Sequence, residues 1–438
     1  MKNTATKRVL AALLLLAAGA QAVAQSSQAA KNKALFKAAK SGTAADIRAA
    51  IKAGAEVNAR EGILAMTPLM YAAECNEDPD AVKALLEAGA SVNARSNTPW
   101  CPNSALLRAA SYNINSDVVK TLIDAGANGK DNAIVYAASC NQNPDVIKVL
   151  LNAGANVNYA KGDFASVDLE TGEAEPRITF TIFGEDATPE GAVTALMCAA
   201  GFNANTAVLK VLLDAGADVD ATDQEGTTAL MYAVAFNWNP DVIKLLLDVG
   251  ADVNAKINGV NGDESILIWA VRNNASFDVI KALIDAGADV NACAFDVEGF
   301  ATRRYTVLMY AARYSTNTEV LKMLLEAGAD VNQSNQVGET PLMKAIRYNT
   351  NLDVVRFLID AGANVNSINS SNYMTVLMYT VEFSSNPDVV KILIAAGADV
   401  KMRDESDRRA VDYLERRKTW DTDFAASDAY RKMKELLQ

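Results

Sequence analysis

Apolar residues recur along the chain at the spacing of short helices, and the same pattern returns about every 34 residues. In residues 67–93, a short apolar run is followed, after a turn, by apolar positions at helical spacing, which predicts a pair of helices. Thr67 precedes Pro68 at the first helix start, and Asp78 caps the second, because both side chains can accept a hydrogen bond from a free backbone N–H. Gly89 ends the pair, where a left-handed residue is expected.

A Gly-Ala landmark marks the end of ten such units. The glycines are mostly 34–37 residues apart: Gly54, Gly89, Gly126, Gly154, Gly216, Gly250, Gly287, Gly328, Gly362 and Gly397. The interval of 62 predicts one unit with an insertion of about 28 residues, and the interval of 28 predicts one that has lost most of a loop. A chain of repeated helix pairs indicates an all-α solenoid.

The repeated unit resembles the ankyrin repeat. The family's T-P-L-H-x-A-A motif corresponds to TPLMYAA at 67–73, and its V-x-x-L-L-x-x-G-A-D-V-N run corresponds to VLKMLLEAGADVN at 320–332. The resemblance covers roughly residues 31–438 and implies an ankyrin-repeat solenoid of about eleven helix pairs.

Two features depart from the family pattern. Methionine replaces the usual histidine of the first helix, so we expect thioether packing there: Met70, Met197, Met231, Met309, Met343 and Met378. The turn between the two helices is also one residue longer from the second unit onward, and it has its fullest form in FNWNPDV at 236–242, which includes Trp238.

The two ends of the array differ from its middle. We expect an N-terminal cap at about 31–58, an array over 25–402 and charged C-terminal capping helices over 403–438. A basic start and an apolar run too short to span a bilayer fill residues 1–24 and predict a signal peptide that is cleaved between Ala24 and Gln25. We therefore expect export from a Gram-negative cell to the periplasm or the medium, with no membrane span in the mature chain.

Charge and composition exclude several function classes. The net charge is −12, and loss of the three positive charges in residues 1–24 lowers it to −15, so nucleic acid is a poor candidate partner. The chain has no histidine, which excludes histidine-based triads and metal sites. The register keeps the five cysteines apart, so we expect free thiols. No carboxylate pair or phosphate loop suggests catalysis, and we expect no enzyme activity, no metal and no cofactor.

One aromatic series follows the alanine pair of the first helices in a single register, with cysteine in the same position at Cys75 and Cys140: Tyr112, Phe202, Phe236, Tyr314, Tyr348 and Phe383. The resemblance implies that a concave face, with its loops, binds the partner. The rings therefore have two interpretations: packing beneath the longer turn, which we favour, or anchoring a partner.

Two further features are candidate contacts. Residues 160–192 predict a projecting β-hairpin that includes RITFTIF at 177–183, with Phe180 and Phe183, and that is either a contact arm or a decorative insertion. A long loop from Phe295 to Tyr305 carries Phe300, Arg303 and Arg304, which suit either a binding hot spot or an ordinary solvated loop, and a second loop carries Trp100.

The sequence therefore favours a monomeric, non-enzymatic scaffold that binds a protein partner in the bacterial envelope. Two alternatives remain: an exported effector that acts on another cell, and a small-ligand or glycan binder that uses the aromatic series.

Overall fold

In a computed structural model, the structure describes residues 27–97, 103–161, 192–237, 239–259, 262–273, 275–298, 301–315 and 318–438. The chain forms two compact units, Met1–Gln224 and Glu225–Gln438. In each unit, first helices of successive repeats pack on one another, and second helices do the same.

The described part of the N-terminal unit contains ten helices and one pair of short strands. The helices are α1 (27–41), α2 (Ala44–Lys52), α3 (Pro68–Cys75), α4 (Pro79–Glu87), α5 (Ala105–Tyr112), α6 (Ser116–Asp124), α7 (Lys130–Cys140), α8 (Pro144–Asn152), α9 (Ala195–Phe202) and α10 (Thr206–Asp214). The strands are β1 (Ala160–Lys161) and β2 (Val193–Thr194).

The described part of the C-terminal unit contains thirteen helices and two hairpins. The helices are α11 (Ala229–Phe236), α12 (Pro240–Asp248), α13 (Ile266–Arg272), α14 (Phe277–Asp285), α15 (Val307–Tyr314), α16 (Glu319–Glu326), α17 (Pro341–Tyr348), α18 (Leu352–Asp360), α19 (Val376–Phe383), α20 (Pro387–Ala395), α21 (Ala410–Arg417), α22 (Thr422–Ala426) and α23 (Asp428–Leu437). The hairpin strands are β3 (Lys256–Gly259), β4 (Gly262–Ser265), β5 (Cys293–Glu298) and β6 (Ala301–Thr306).

A threonine and a methionine begin many of the first helices. The Thr67 hydroxyl accepts from the Met70 amide, and the Thr67 amide in turn lies 3.5 Å from the Met70 thioether. Thr194 and Thr228 make the same pair of contacts with the methionine three residues later. The thioether is thus a weak acceptor in the position where the ankyrin pattern has histidine.

The landmark glycines end the second helices in the left-handed conformation. All ten have φ between 84° and 96°. At Gly287, the glycine amide bonds to the carbonyl of Ile284 and the next amide, of Ala288, bonds to that of Leu283. This pair of bonds satisfies carbonyls that a helix end leaves free.

Side-chain amides join several of the long turns to the repeat before them. Asn203 donates to the carbonyls of Ala138 and Asn141, at 2.9 Å each, and accepts from the amide of Asn205. Four other buried or half-buried asparagines donate to the corresponding pair of carbonyls: Asn76, Asn113, Asn141 and Asn349. We call this series the turn asparagines; it explains why the longer turn recurs.

A second asparagine series joins the loops that leave the second helices. Asn254 donates to the carbonyl of Gly287 and accepts from the amide of Asp289. The unit predicted to have lost its loop replaces this asparagine with two residues: Lys130 donates to the carbonyl of Ala153, and Asp131 accepts from the amide of Asn156.

The strands correct one prediction and extend another. Residues 295–305 are not a long loop: Cys293 pairs with Thr306 and Glu298 with Ala301, so β5 and β6 form an antiparallel hairpin. A further hairpin, β3–β4, was not predicted. β1 and β2 pair antiparallel at the two ends of the predicted insertion, while residues 162–191 lie outside the described residues.

Helices form both ends of the described chain. The N-terminal helix is described from residue 27, four residues before the expected start of the cap. The C-terminal cap has a short additional helix, α22. Four cysteines are free thiols, and Cys101 lies outside the described residues.

Candidate protein-binding surface

The predicted aromatic series occupies one structural position. In the described repeats, each ring is the last residue of a first helix, and Cys75 and Cys140 end α3 and α7 in the same way. Tyr112 is 42% exposed, Tyr314 37% and Phe383 39%, whereas the other three rings are half-buried. The turn asparagine that follows the ring is itself buried in several repeats, as at Asn113 and Asn203.

Tyr112, Tyr314 and Phe383 are thus partly packed and partly accessible, and both interpretations of the rings stay predictions. Two of the exposed rings pack on a tyrosine one helical turn earlier: the ring centroids of Tyr310 and Tyr314 are 6.4 Å apart and stacked, and those of Tyr379 and Phe383 are 4.6 Å apart and tilted. Such pairs fix the ring while leaving one face toward the surface.

In two successive first helices of the C-terminal unit, the residue directly before the ring is an arginine, and its guanidinium group lies between two rings. The guanidinium carbon of Arg313 is 4.9 Å from the centroid of Tyr314 and 4.3 Å from that of Tyr348, one repeat further on. Arg347 repeats the arrangement, at 5.0 Å from Tyr348 and 4.4 Å from Phe383. We call these five residues the aromatic–arginine ladder.

The ladder ends at an ion pair. Glu382 holds the arginine position of the next first helix, and its carboxylate lies 2.7 Å from the guanidinium of Arg416. The carboxylate of Glu382 is thus neutralised by the guanidinium group of Arg416.

The N-terminal unit has a different surface at this position. Arg108 and Glu74 form an ion pair at 2.5 Å, with the Arg108 side chain only 5% exposed. Lys40 lies 4.0 Å above the ring of Tyr71. Cationic groups and rings alternate less regularly here than in the ladder.

A buried ionic cluster next to the ladder was not predicted from the sequence. Glu339 and Lys344 are both fully buried, with the carboxylate 2.8 Å from the ammonium group. Arg303 of β6 also lies 2.8 Å from Glu339, and the Tyr379 hydroxyl donates to it at 3.1 Å. Lys344 donates in turn to the hydroxyl of Tyr305.

The charges within the cluster stabilise one another. Burial alone would raise the pKa of Glu339, but Lys344, Asn335 and Arg303 together hold it below its usual range. Burial and the same carboxylate raise the pKa of the Tyr379 hydroxyl. Glu339 is therefore ionised at neutral pH, and its ion pair with Arg303 fastens the β5–β6 hairpin to the following repeat.

The hairpin side chains have distinct environments. Arg303 points its guanidinium to buried Glu339 and is 22% exposed. Arg304 is exposed, lies 6.0 Å from the centroid of the exposed Phe295 ring, and has its amide bonded to the Gln336 side chain. Six other candidate residues lie outside the described residues: Ala24, Gln25, Phe180, Phe183, Trp238 and Phe300.

Within the described ranges, no group of three or more histidine, cysteine, aspartate or glutamate side chains could hold a metal ion. No helix in the same ranges is long and apolar enough to cross a membrane.

Comparison with known proteins agrees with this architecture. The model for ankyrin repeats in three copies matches residues 4–96, 176–257, 196–294, 255–335 and 308–404, and the single ankyrin-repeat model matches 129–162. The chain belongs to the ankyrin-repeat family. Repeats of this family are typically non-enzymatic modules for protein–protein interaction, and they imply that the chain is an interaction scaffold.

No curated protein matches the chain. Among solved structures, one similar chain comes from a complex of a predatory endopeptidase with an immunity protein from Bdellovibrio bacteriovorus, with 32% identity. The match covers 46% of this chain and 96% of that chain, with a TM-score of 0.39.

Proposed function

We propose that this protein is a non-enzymatic scaffold that binds a protein partner through the aromatic–arginine ladder. The observation that carries the proposal is the alternation of rings and guanidinium groups over three successive repeats. Tyrosine and arginine dominate the binding energy of many interfaces. Stacked guanidinium groups lose little further freedom on binding, which lowers the entropic cost of association.

The β5–β6 hairpin extends the proposed surface. Arg303 and Tyr305 hold it to the buried Glu339 and Lys344, so the exposed Phe295 and Arg304 are presented on a supported element. A rigid platform of this kind suits recognition better than an unsupported loop. Phe180, Phe183, Trp238 and Phe300 remain candidate contacts from the sequence.

The absence of catalysis is part of the proposal. The chain has no histidine, and its aspartates and asparagines recur in turn and cap positions that explain their number. A positive result in a broad hydrolase screen, abolished by a point substitution, would overturn this part.

Localisation is also proposed from the sequence. A short basic start followed by an apolar run and Ala-Val-Ala supports export and cleavage after Ala24. Mass spectrometry of the purified protein should give an N-terminus at Gln25, and fractionation should place it in the periplasm or the medium. An intact Met1 in cytosolic protein would contradict export.

A second candidate function is supported by the exposed rings. Aromatic faces also bind carbohydrate, so a glycan binder would use the same residues. The other alternative, an exported effector, would use the same surface to bind a protein of another cell. Glycan arrays separate the first possibility from protein binding, and recovery from the medium separates the second from retention in the envelope.

Affinity capture tests the main proposal. The mature protein is immobilised and exposed to an envelope extract, beside a variant with Tyr314→Ala, Tyr348→Ala and Phe383→Ala. A control carries Phe277→Ala, which removes a ring that is 43% exposed at the start of a second helix. We expect a partner retained by the parent and the control but lost from the triple variant; equal retention by all three would contradict the proposed surface.

A further inference from the structure

A turn of the C-terminal unit holds a tyrosine in a strained backbone conformation. Tyr373 has φ +55°, in the left-handed region that a bulky side chain rarely adopts. Two earlier repeats of this unit have glycine at the same place, two residues before the threonine that caps the first helix: Gly226, with φ +79°, and Gly338, with φ +77°. Glycine takes this conformation at little cost, so the fold alone does not require a tyrosine here.

Two other repeats also have a residue other than glycine at this place, and an arginine supports each of them. Arg60 donates to the carbonyl of Ala65 at 2.9 Å, and Arg403 donates to the carbonyl of Asp407 at 2.7 Å. Both arginines stand three residues after the valine of the Gly-Ala-x-Val run. Ile368 occupies that position before the tyrosine, and its side chain cannot donate such a bond. Backbone strain that the fold does not require indicates a functional position.

Hydrogen bonds fix the shape of this turn, residues 367–374, which we call the tyrosine turn. The amide of Asn369, whose side chain is buried, donates to the carbonyl of Met374 at 2.9 Å. The amide of Ser370 donates to the carbonyl of Val337 in the preceding repeat, also at 2.9 Å. A turn that is already held in one shape loses little further freedom on binding, which lowers the entropic cost of association.

The surface of the tyrosine turn has the composition of a binding loop. Tyr373 is 43% exposed and Ile368 is 44% exposed, and the residues that form the tip between them are exposed as well: Ser370, Ser371 and Asn372. Tyrosine, serine and asparagine are enriched in the loops with which antibodies bind proteins. A tyrosine ring gives a large contact area there, and the small polar side chains give adaptable hydrogen bonds.

The absence of charge defines the kind of partner that fits. Residues 361–381 contain no aspartate, glutamate, lysine or arginine, although 21% of the chain is charged. A charged group on the partner would lose its water at this turn without gaining an opposite charge, so an uncharged patch is favoured. Carbohydrate would stack on the ring but would leave Ile368 without apolar cover, which favours a protein.

We propose, on the basis of the function proposed above, that the tyrosine turn is a separate contact site for the protein partner, with Tyr373 as its anchor. The ring enters an uncharged pocket of the partner, where its hydroxyl donates a hydrogen bond, and Ile368 lies against an apolar rim. The strained conformation serves to present the ring and does not stabilise the fold.

Thermal unfolding separates an anchor from a packing residue. Tyr373→Asn removes the ring and relieves the strain, because asparagine tolerates the left-handed conformation. We expect the melting temperature of this variant to equal or exceed that of the parent. A clearly lower melting temperature would show that the ring stabilises the fold, and would overturn its role as an anchor.

A display library of random twelve-residue peptides tests binding on the mature chain. Selections are run on the parent, on Tyr373→Asn and on Phe277→Ala, a matched control that removes another ring of 43% exposure from the same unit. We expect the parent and the control to enrich uncharged peptides that Tyr373→Asn does not enrich. In titrations with a fluorescent copy of such a peptide, Tyr373→Asn should bind at least about tenfold more weakly, at low and at high salt alike.

Four outcomes of these selections would overturn the inference. Peptides that bind Tyr373→Asn as well as the parent, but are lost from the triple ladder variant, would leave the proposed function in place. Tyr373-dependent peptides that are charged and that salt displaces would contradict the uncharged partner. A glycan-array signal lost in Tyr373→Asn, with no peptide dependent on the ring, would assign the turn to carbohydrate. Equal enrichment by all proteins, or none, would remove the tyrosine turn as a binding site, and the envelope capture would then decide whether the scaffold binds a protein elsewhere.

Discussion

Single amide side chains connect neighbouring repeats. A turn asparagine uses three of its hydrogen-bonding positions at once, and its two carbonyl partners lie in the preceding repeat. The sequence showed that an asparagine accompanies the longer turn, but it could not show these partners, which lie 62 and 65 residues away from Asn203. The sequence therefore predicts the longer turn but not the repeat to which its asparagine is bonded.

Replacing a turn asparagine should destabilise the N-terminal unit. Asn203→Ala leaves two buried carbonyls without their donor, and we expect a loss of about 1–3 kcal/mol in the free energy of unfolding. Asn158→Ala is the matched control, because its bonds to Gly216 and Asp218 are exposed and water can replace them. Urea unfolding followed by circular dichroism measures both; equal losses would show that burial of the bonds is not the cause.

The C-terminal cap contains a carboxylate with a depressed pKa. Burial alone would raise the pKa of Asp404, but hydrogen bonds from Tyr413 and Arg408 outweigh it and lower the pKa from 3.8 to about 2. Asp404 accepts from the Tyr413 hydroxyl at 2.6 Å and from the Arg408 Nε at 2.8 Å.

Acid should therefore loosen this cap. Because the folded-state pKa is the lower one, the stabilisation is present above about pH 4 and is lost as the pH falls toward about 2. Asp404→Asn should be less stable than the parent at pH 7, with a difference that shrinks through this window in thermal melts. Asp407→Asn, whose side chain is 83% exposed, is the control. A difference that stayed constant from pH 7 to pH 2 would contradict the assignment.

At the scale of the element, helices were easier to predict than strands. The same caps and the same apolar spacing recur in ten helix pairs, so the local signals reinforce one another. The β5–β6 hairpin occurs in one repeat, and its strands carry charged residues that resemble a solvated loop. Its attachment depends on Glu339 and Lys344, two residue types that are rarely buried and that sequence patterns place on the surface. The ladder itself could be predicted only as far as the register of its rings.

The helix-ending glycines allow a direct test of backbone strain. Gly287 has φ +89°, and a Cβ built there meets nothing within 4 Å. Gly287→Val should thus lose more than about 1 kcal/mol through backbone conformation alone, since a β-branched residue resists positive φ. Gly287→Asn should lose less, because asparagine tolerates this conformation. Thermal melts compare them, and a valine variant as stable as the parent would remove the strain argument.

At the scale of the molecule, stability comes from contacts between neighbouring repeats. Alanines of the first helices and the apolar residues of the second helices are buried against the adjacent pair, so no pair can cover its own core alone. The terminal repeat therefore needs a substitute for the missing neighbour. Arg417 of α21 supplies it, since its guanidinium donates to the carbonyls of Val381 and Ser384, the pair that a turn asparagine would otherwise bind.

Removing that guanidinium should open the array from its C-terminal end. Arg417→Met leaves both carbonyls unsatisfied, so hydrogen exchange of the amides in α19–α23 should become at least about tenfold faster, equivalent to about 1.4 kcal/mol. Nearest-neighbour coupling confines the effect, and amides in α3–α8 should keep their protection. Arg431→Met, which removes a side chain that is 70% exposed in α23, should change neither region. Uniform acceleration along the whole chain would instead indicate a single cooperative unit, and the account of stability repeat by repeat would have to be abandoned.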